Sequence, residues 1–336
     1  MEQLRIGVLS AARIVPSALL SPAKQAPEVI VSGIAARDPQ RAQAFARKHH
    51  IPRVFANYDE LIADPDLDAV YIPLPNSLHA AWAIKALEAG KHVLCEKPFA
   101  SNAEEAQQMA DAAERAGRML MEAFHYRYHP LAARMREIVT SGELGAIQHI
   151  ETWIAFPLLA PGNIRYSYDL GGGATMDAGC YAIHMLRFLA GDEPEVVSAQ
   201  ARLISPQVDR WMRAEFRFAD GRTGRITASM LSTNPFLRIA ARVRGDQGEM
   251  NVLNPMAPQW YHHIKVRTKQ GKRTERLTRT PTYLYQLRAF TSAVREGILS
   301  LTPPADAIAN MRVIDSVYQK AGLALRGQKA LASVPK

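Results

Sequence analysis

Cysteine is scarce in this sequence, where Cys95 and Cys180 are the only two among 336 residues. Two cysteines cannot form the disulfide framework of small secreted domains, and they suit a reducing cytoplasm. The sequence also lacks any run of about 18 apolar residues, which a membrane-spanning helix needs. Its first residues lead directly into a strand pattern and show no signal-peptide pattern. These absences predict a cytoplasmic protein without a membrane partner.

Internal repeats and low-complexity segments are absent too, while 48% of the residues are apolar and the net charge is +9. This length and composition allow two domains with full cores. The positive charge is compatible with nucleic acid or with small anionic ligands. We favour small anionic ligands because no zinc-finger, helix-turn-helix or RNA-binding signature accompanies the charge. A nucleic-acid interface would depend on a basic stretch that we interpret as an exposed hairpin turning at Gln270-Gly271, namely Lys265, Arg267, Lys269, Lys272, Arg273, Arg276 and Arg279.

Strand and helix patterns alternate along residues 1–123. This alternation predicts a parallel, doubly wound sheet with right-handed crossovers. One predicted helix begins with a capping box of Ser101 and Glu104 and ends at Gly117. The predicted strands are 4–9, 29–35, a short strand at Val54, 69–72, 92–95 and 119–123, and the other helices begin near Pro16 or cover 39–49, 58–62 and 77–89.

Beyond residue 124 several strand patterns follow one another with short turns, which favours antiparallel pairing. We therefore predict an α/β fold with two domains, a parallel sheet in 1–123 and an open, mainly antiparallel sheet in 124–336. An apolar face of that open sheet would lack helices to cover it, which predicts a homodimer or a tetramer of two such dimers. The strand patterns are 147–155, 196–203, 213–218, 223–230 and 238–244, and the helices are 130–141, 177–189, 283–295 and 306–325.

The most informative stretch runs from Ala89 to Pro98. A helix ends at Gly90, a short buried strand follows, and Glu96, Lys97 and Pro98 come at the end of that strand. Ligands bind beyond the carboxyl ends of strands in open α/β sheets, so Lys97 lies where chemistry usually occurs. A Lys-Pro bond also adopts the cis form at low cost. Taken alone, a surface lysine is the simpler interpretation, but the motifs around it favour the functional one.

Two motifs indicate a dinucleotide site. The turn after the first strand, Ser10-Ala11-Ala12-Arg13-Ile14, has small residues where dinucleotide folds use glycines. The second strand ends in Ala36-Arg37-Asp38, which places Arg37 where NAD enzymes hold the ribose with a carboxylate. A guanidinium suits a 2′-phosphate, and Arg41 one turn later supports it. We therefore expect NADP(H) rather than NAD(H), with a tight turn and a solvated arginine as the alternatives.

Two further stretches carry polar groups at predicted strand ends. The loop from Pro73 to His79 is stiffened by prolines, and Asn76 or Ser77 can cap the next helix. Polar and aromatic groups crowd the stretch from Glu122 to Pro130, at the junction between the two strand patterns. Its two histidines have no carboxylate or cysteine partner at a suitable spacing, so we predict no metal site.

A glycine run at 171–173 precedes a predicted helix that carries Asp177, Tyr181 and His184. These positions are i, i+4 and i+7, so they share one helix face. A carboxylate, a phenol and an imidazole on one face are typical of a proton-transfer set. The alternative is that Asp177 caps the helix and Tyr181 is a core aromatic.

In this order, the motifs resemble the family of glucose–fructose oxidoreductase, inositol 2-dehydrogenase and rhizopine catabolism proteins (Gfo/Idh/MocA), from the Gly7 region to residues 306–312. Residues 123–130, 163–165 and 171–181 are most similar to the branch of xylose dehydrogenases and dimeric dihydrodiol dehydrogenases. The resemblance implies a Rossmann domain that binds NAD or NADP, then an α/β domain whose open sheet forms dimers. It implies that Lys97 is the catalytic lysine and Asp177 the substrate-facing aspartate. Tyr181 stands where inositol dehydrogenases have histidine, which argues against myo-inositol.

The implied reaction is hydride transfer between nicotinamide and a secondary alcohol or hemiacetal carbon of a sugar, polyol or cyclic diol. We expect Tyr181 to be the acid/base, while Lys97 binds the reacting oxygen and lowers the pKa of the phenol. His125 and His184 receive no assigned role, and a non-catalytic NADP-binding regulator of the same fold is the alternative function. The expected cofactor-binding residues are Ser10, Ala12, Arg13, Ile14, Arg37, Arg41, Pro75, Asn76, His79, Glu96, Lys97 and Arg127, and the expected substrate-binding residues are Lys97, Arg165, Asp177, Tyr181 and His184.

Overall fold

The computed structural model describes residues 3–159, 162–231 and 237–327. The first sheet contains β1 (Leu4–Leu9), β2 (Val29–Ala35), β3 (Arg53–Val54), β4 (Ala69–Ile72), β5 (His92–Cys95) and β6 (Leu120–Glu122). All six strands are parallel, in the order β3-β2-β1-β4-β5-β6. The strand order reverses between β1 and β4, and in such sheets ligands bind at the carboxyl ends around this point. The predicted doubly wound parallel sheet is confirmed.

Apolar residues on β4 and β5 are buried on both sheet faces, as parallel strands covered by helices require. Val70 and Val93 are fully buried, and each such side chain stabilises the fold by about 1.5–3 kcal/mol. Asp38 caps one helix by accepting hydrogen bonds from the N–H groups of Gln40 and Arg41. A π-helical turn (Pro16–Leu20) leads into α1 (Ser21–Ala23), and the other helices of this part are α2 (Pro39–His49), α3 (Tyr58–Ala63), α4 (His79–Glu88) and α5 (Ala103–Ala116).

The capping box of α5 lies one residue later than predicted. Asn102, not Ser101, accepts a hydrogen bond from the Glu105 N–H at 2.9 Å. The Glu105 carboxylate in turn accepts from the Ser101 N–H at 2.9 Å. Asn102 also donates to the carbonyl of Arg326, a contact that the local sequence does not reveal and that fixes Asn102 at the cap.

A second sheet of eight strands follows. Helix α6 (Pro130–Thr140) precedes β7 (Ile147–Ala155), α7 (Cys180–Ala190), β8 (Glu195–Ser205), β9 (Val208–Arg217), β10 (Thr223–Ser229), β11 (Arg238–Gly245), β12 (Gly248–Leu253), β13 (His263–Thr268) and β14 (Gly271–Glu275). Their order is β14-β13-β12-β11-β7-β10-β9-β8. Only β7 and β10 pair in parallel within this sheet, so the prediction of a mainly antiparallel sheet is confirmed. Strands β13 and β14 form the hairpin that we expected from the basic stretch.

One face of the second sheet packs against α7, since Thr152 of β7 donates a hydrogen bond to the carbonyl of Ala182 at 2.8 Å. The opposite face is charged rather than apolar, which corrects the prediction of an apolar open face. Arg225 pairs with Glu215 at 2.7 Å, and both side chains are about one third exposed. Alternate positions along the neighbouring strands β7, β10 and β9 hold polar residues here, so this face tolerates water and its packing does not depend on apolar area.

The C-terminal helices return across the molecule. Helix α8 (Thr282–Glu296) packs Leu284, Leu287 and Phe290 against the core of the first sheet, whereas α9 (Pro304–Lys320) packs against α5 and β8. Helix α9 ends before residue 325, contrary to the prediction, because Gly322 adopts a left-handed conformation with φ of +71°. No described helix combines the length and apolarity that crossing a membrane requires.

Candidate active site

The structure brings Lys97, Asp177 and Tyr181 together from different parts of the fold. Lys97 follows β5 of the first sheet, and its peptide bond to Pro98 is cis. Its Nζ donates to the backbone carbonyl of Asp177 at 3.1 Å and to the Asp177 carboxylate at 3.2 Å. The same Nζ lies 5.0 Å from the centre of the Tyr181 ring. The three side chains therefore meet between the two sheets, at the carboxyl end of β5.

The Asp177 carboxylate forms ion pairs with two cationic side chains, Lys97 and Arg165. Arg165 donates to its carboxylate at 2.8 Å, in addition to Lys97. Burial alone would raise the pKa of Asp177, but Lys97 and Arg165 lower it below its ordinary value. Burial would likewise lower the pKa of Lys97, and Asp177 raises it above its ordinary value. Both groups are therefore charged at neutral pH, and Lys97 is a donor rather than a base.

The protein partner of the Tyr181 hydroxyl is His125 rather than Lys97. The hydroxyl lies 3.0 Å from Nε2 of His125, whose Nδ1 lies 2.8 Å from the hydroxyl of Thr282. Burial raises the pKa of Tyr181 well above its ordinary value, and Tyr283 adds to this shift. The expected lowering of the pKa of this phenol is not seen, because burial raises it although the Lys97 ammonium lies over the ring. Tyr181 is a neutral phenol at neutral pH, which suits a proton donor.

A buried ion pair of Asp209 and Arg326 holds the turn that carries Asp177. The chain passes from the glycine run into a π-helical turn, Thr175–Gly179, before α7 begins. The carboxylate of Asp209 accepts hydrogen bonds from the N–H and the hydroxyl of Thr175, both at 2.7 Å. Asp209 also pairs with Arg326, which donates to the carbonyl of Gly172 at 2.8 Å. Glycine is required at 173, where φ is +131° and a Cβ would lie 2.2 Å from Asp209.

His184 shares the α7 surface with Tyr181 but serves a different network. Its Nδ1 lies 2.6 Å from the hydroxyl of Tyr126, and its Nε2 lies 2.8 Å from the Asp306 carboxylate. Asp306 also pairs with Arg187 at 3.0 Å. Both ring nitrogens of His184 are thus engaged within the fold, and the structure does not bring this side chain to Lys97.

The turn after β1 offers unpaired backbone donors. Within the described residues, the N–H groups of residues 11–14 donate to no protein acceptor. Such N–H groups at the start of a helix bind anions. Ser10 adopts a φ of +129°, where glycine is usual, and its N–H donates to the Ala35 carbonyl at 2.8 Å. Arg41 donates to the Ala11 carbonyl at 2.9 Å, which ties β2 and α2 to this turn.

At the end of β2, the Asp38 carboxylate caps α2 through its Oδ1 atom. Asp38 accepts hydrogen bonds from the N-terminus of α2, while Arg37 is exposed. Arg13 is also exposed in the neighbouring turn. The phenol of Tyr58 lies beside Ser10 and Arg37, and burial raises its pKa. These residues fit a dinucleotide that carries a phosphate on its ribose.

The loop after β4 contacts the glycine run that precedes α7. Asn76 donates to the carbonyl of Gly171 at 2.8 Å. His79 is fully buried, and its ring nitrogens lie 2.9 Å from the carbonyls of Pro98 and Leu74. His79 therefore holds the Lys97–Pro98 segment against this loop instead of facing the cleft.

Two other expected site residues, Glu96 and Arg127, have protein partners of their own. Glu96 is buried and accepts a hydrogen bond from the Tyr71 hydroxyl at 2.6 Å. Burial raises the pKa of this carboxyl above its ordinary value. The guanidinium of Arg127 lies 3.7 Å from the centre of the Phe188 ring. Ile14 and Pro75 are partly exposed beside the turns after β1 and β4.

Among the residues that the structure describes, no group of three or more His, Cys, Asp or Glu side chains could hold a metal.

Sequence reasoning missed several residues that complete this site. Asp209 and Arg326 hold the glycine run, Tyr58 lies at the ribose end, and Thr282 contacts His125. Each of these residues is distant in sequence from the residue that it contacts. Only His125, in the polar and aromatic stretch from Glu122 to Pro130, was a visible signal.

Comparisons with known proteins identify the family of this chain. A family model described as an oxidoreductase family with an NAD-binding Rossmann fold matches residues 4–124, and the GFO/IDH/MocA C-terminal domain matches residues 132–251. A D-xylose 1-dehydrogenase (NADP(+)) from Haloferax volcanii is 36% identical over 95% of this chain and 97% of its own. A trans-1,2-dihydrobenzene-1,2-diol dehydrogenase from Xenopus tropicalis is 32% identical over 61% of this chain and 62% of its own.

A similar solved structure is KijD10, a 3-ketoreductase from Actinomadura kijaniata in complex with NADP and TDP-benzene. It is 28% identical, with a TM-score of 0.88 over 95% of this chain and 98% of that chain. Two further structures of that reductase have a lysine replaced by alanine and a tyrosine replaced by phenylalanine, at positions 84 residues apart. Lys97 and Tyr181 are also 84 residues apart. The chain belongs to the GFO/IDH/MocA oxidoreductase family.

Proposed function

We propose that this protein is an NADP-dependent oxidoreductase that transfers hydride between nicotinamide and a secondary alcohol or hemiacetal carbon of a sugar, polyol or cyclic diol. The observation that carries the proposal is the meeting of Lys97, Asp177 and Tyr181 between the two sheets. When bound, the dinucleotide supplies or accepts the hydride. The chain's own residues bind the substrate oxygen and move its proton.

Lys97 binds the reacting oxygen. An ammonium group has three donors, and two of those on Lys97 point to Asp177. The third has no acceptor in the described part of the chain, so it is available to a substrate hydroxyl or carbonyl. Asp177 and Arg165 hold the ammonium in place through their own ion pair.

Tyr181 moves the proton. In the reductive direction its neutral phenol donates the proton to the carbonyl oxygen of the substrate, and in the oxidative direction the phenolate removes it from the alcohol. Asp177 and Arg165 are partly exposed, so both also offer hydrogen bonds to neighbouring hydroxyls of the substrate.

The test of the function is a substrate screen. We expect NADP+ to be reduced, as absorbance at 340 nm, with at least one member of a panel containing D-xylose, D-glucose and trans-1,2-dihydrobenzene-1,2-diol. NADP+ binding without turnover of any panel member, in oxidation or in reduction of the corresponding ketones and lactones, would instead support the non-catalytic regulator.

Cofactor choice depends on Arg37. We expect Arg37→Asp to weaken NADP+ binding by about 10- to 100-fold, because it removes a charge-assisted contact to the 2′-phosphate and adds a like charge. NAD+ binding should be unchanged or improved. Calorimetric titration with both dinucleotides measures the change, and Arg312→Asp on α9 is a control with equal charge change at another exposed arginine. Tighter binding of NAD+ than NADP+ by the unmodified protein would contradict this role of Arg37.

We further infer a homodimer that forms through the charged face of the second sheet, in the cytoplasm. Trp153 lies under the guanidinium of Arg238 at 3.6 Å on this face, so the face combines aromatic area with pairs of charges. Both cysteines are buried and free, which suits a reducing compartment. Light scattering at micromolar concentration should give twice the 37.2 kDa of one chain, or four times for a tetramer. A mass of one chain would overturn the assembly.

A further inference from the structure

We propose that Thr282 holds His125 in the tautomer that donates its Nε2–H to the Tyr181 oxygen, so that the O–H of Tyr181 points to the substrate. His125 is then a positioning residue for the acid/base. This inference rests on the proposed function of Tyr181 and goes beyond it, because it explains which way the phenol proton faces.

The three groups form a continuous buried chain. Nε2 of His125 lies 3.0 Å from the Tyr181 oxygen, and Nδ1 lies 2.8 Å from the Thr282 hydroxyl oxygen. Their exposed fractions are 5% for Tyr181, 4% for His125 and 0% for Thr282. The ring of Tyr283 lies 4.1 Å from the His125 ring and fixes its plane. The imidazole therefore has only these two polar partners in the described part of the chain.

The hydroxyl of Thr282 determines the tautomer. Buried hydroxyl hydrogens need an acceptor, and Nδ1 of His125 is the partner that this hydroxyl has among the described residues. Nδ1 can accept only when it carries no proton. Burial, with the charge of Lys97, lowers the pKa of His125 to about 3, so the ring is neutral and its one proton is on Nε2.

The opposite tautomer would leave a polar hydrogen unpaired. If Nδ1–H donated to Thr282, the hydroxyl hydrogen of Thr282 would be buried without an acceptor. In the proposed arrangement the O–H of Tyr181 instead has no acceptor among the described residues, but Tyr181 lies next to Lys97, where the substrate oxygen binds. The substrate thus completes the hydrogen bonding of the phenol.

The arrangement also helps the chemical step. In the reductive direction the O–H bond of Tyr181 breaks and its proton bonds to the substrate oxygen, while His125 keeps its own proton throughout. The phenolate that forms then accepts the Nε2–H of His125, a charge-assisted hydrogen bond that favours ionisation of the phenol. The other titratable or charged groups around the phenol are Lys97 and Glu96 after β5, Tyr71 on β4, Tyr126 beside the ring, Tyr283 on α8, and Asp177 and Cys180 in its own segment.

Nitrogen NMR tests the tautomer without any substrate. In protein labelled with ¹⁵N-histidine, the resonances lost in His125→Phe identify His125 among the ten histidines. We expect these resonances to report a neutral ring protonated at Nε2 between pH 6 and 8. Thr282→Val, which keeps the side-chain shape without the hydroxyl, should reduce this preference, whereas Thr282→Ser should retain it. A ring protonated at Nδ1 in the unmodified protein would overturn the proposal.

Kinetics tests the consequence with the panel substrate that turns over fastest. We expect His125→Phe to lower kcat for oxidation by about 10- to 100-fold and to leave the Kd for NADP+ unchanged. The rise of the rate with pH, which follows ionisation of Tyr181, should move to higher pH. Thr282→Val should move it in the same direction by a smaller amount, and Thr282→Ser should restore it.

A double substitution separates this inference from the proposed function. Once Tyr181→Phe has removed the hydroxyl, His125→Phe should cost no further rate. Equal losses from His125→Phe with and without the Tyr181 hydroxyl would overturn the role of His125 but leave Tyr181 as the acid/base. Full activity of Tyr181→Phe, or no turnover with any panel substrate, would overturn the proposed function itself, and the NMR result would still decide the tautomer.

Discussion

Tyr181→Phe is expected to slow hydride transfer by about 10²- to 10⁴-fold, the usual loss when a positioned acid/base is removed. The substitution deletes only the hydroxyl, so the ring still packs against Phe124 at 5.2 Å and under Lys97. NADP+ binding should therefore survive. Single-turnover absorbance at 340 nm, with saturating dinucleotide and an active panel substrate, measures the chemical step directly.

Tyr126→Phe is the matched control for this prediction. Tyr126 is also buried and also packs against Phe124, but its hydroxyl contacts His184 rather than the Lys97 site. We expect it to lower the free energy of unfolding by about 0.5–1.5 kcal/mol through the lost hydrogen bond and to leave the hydride-transfer rate within a few fold. Near-normal turnover in Tyr181→Phe would move the proton-transfer role to another group.

Lys97→Met should cause a loss of similar size, about 10²- to 10⁴-fold in single-turnover rate. Methionine keeps much of the side-chain length but has neither the charge nor the donor that would bind the substrate oxygen. The fold should tolerate the change, because Arg165 still pairs with Asp177 at 2.8 Å and the buried carboxylate keeps a cationic partner. The dinucleotide Kd should change little, since the expected phosphate contacts lie at β1 and β2.

Lys91→Met is a control at the opposite end of β5. Lys91 precedes β5, is buried, and donates to the carbonyls of Asp64 and Leu67 at 2.5 and 2.7 Å. Its replacement should lower the melting temperature, because two buried carbonyls lose their donor, without affecting the rate of the remaining folded enzyme. A Lys97→Met variant with normal turnover, or a Lys91→Met variant as inactive as Lys97→Met, would contradict the assignment of Lys97 to the chemical step.

Local sequence predicted the elements that carry the site. The strands β1, β2, β4, β5 and β7 have the predicted bounds, because apolar runs between turn residues specify both length and ends. Lys97 was recognisable because it comes two residues after such a strand ends. The shift of the α5 cap from Ser101 to Asn102 shows the limit of this approach, since both residues are good caps and a distant carbonyl selected between them.

Local sequence did not predict the partners of the site side chains. Helical spacing placed Asp177, Tyr181 and His184 on one face, but the π-helical turn and the packing of α7 send them to different partners. His184 pairs with Asp306, which is 122 residues away in sequence. Spacing along a helix specifies which side chains are neighbours and not which distant elements meet them.

The sequence by itself determined the parallel sheet, the antiparallel sheet after it, the position of Lys97 at a strand end and Arg37 in place of a ribose carboxylate. These follow from periodicity and from the residues next to each other in the chain. Only the tertiary structure decided that Asp177 holds Lys97, that His79 supports the backbone, that the open face is charged, and that the Tyr181 hydroxyl meets His125 and Thr282. These contacts join α7, α8 and the ends of β5 and β6, and their geometry depends on how whole helices and sheets pack together.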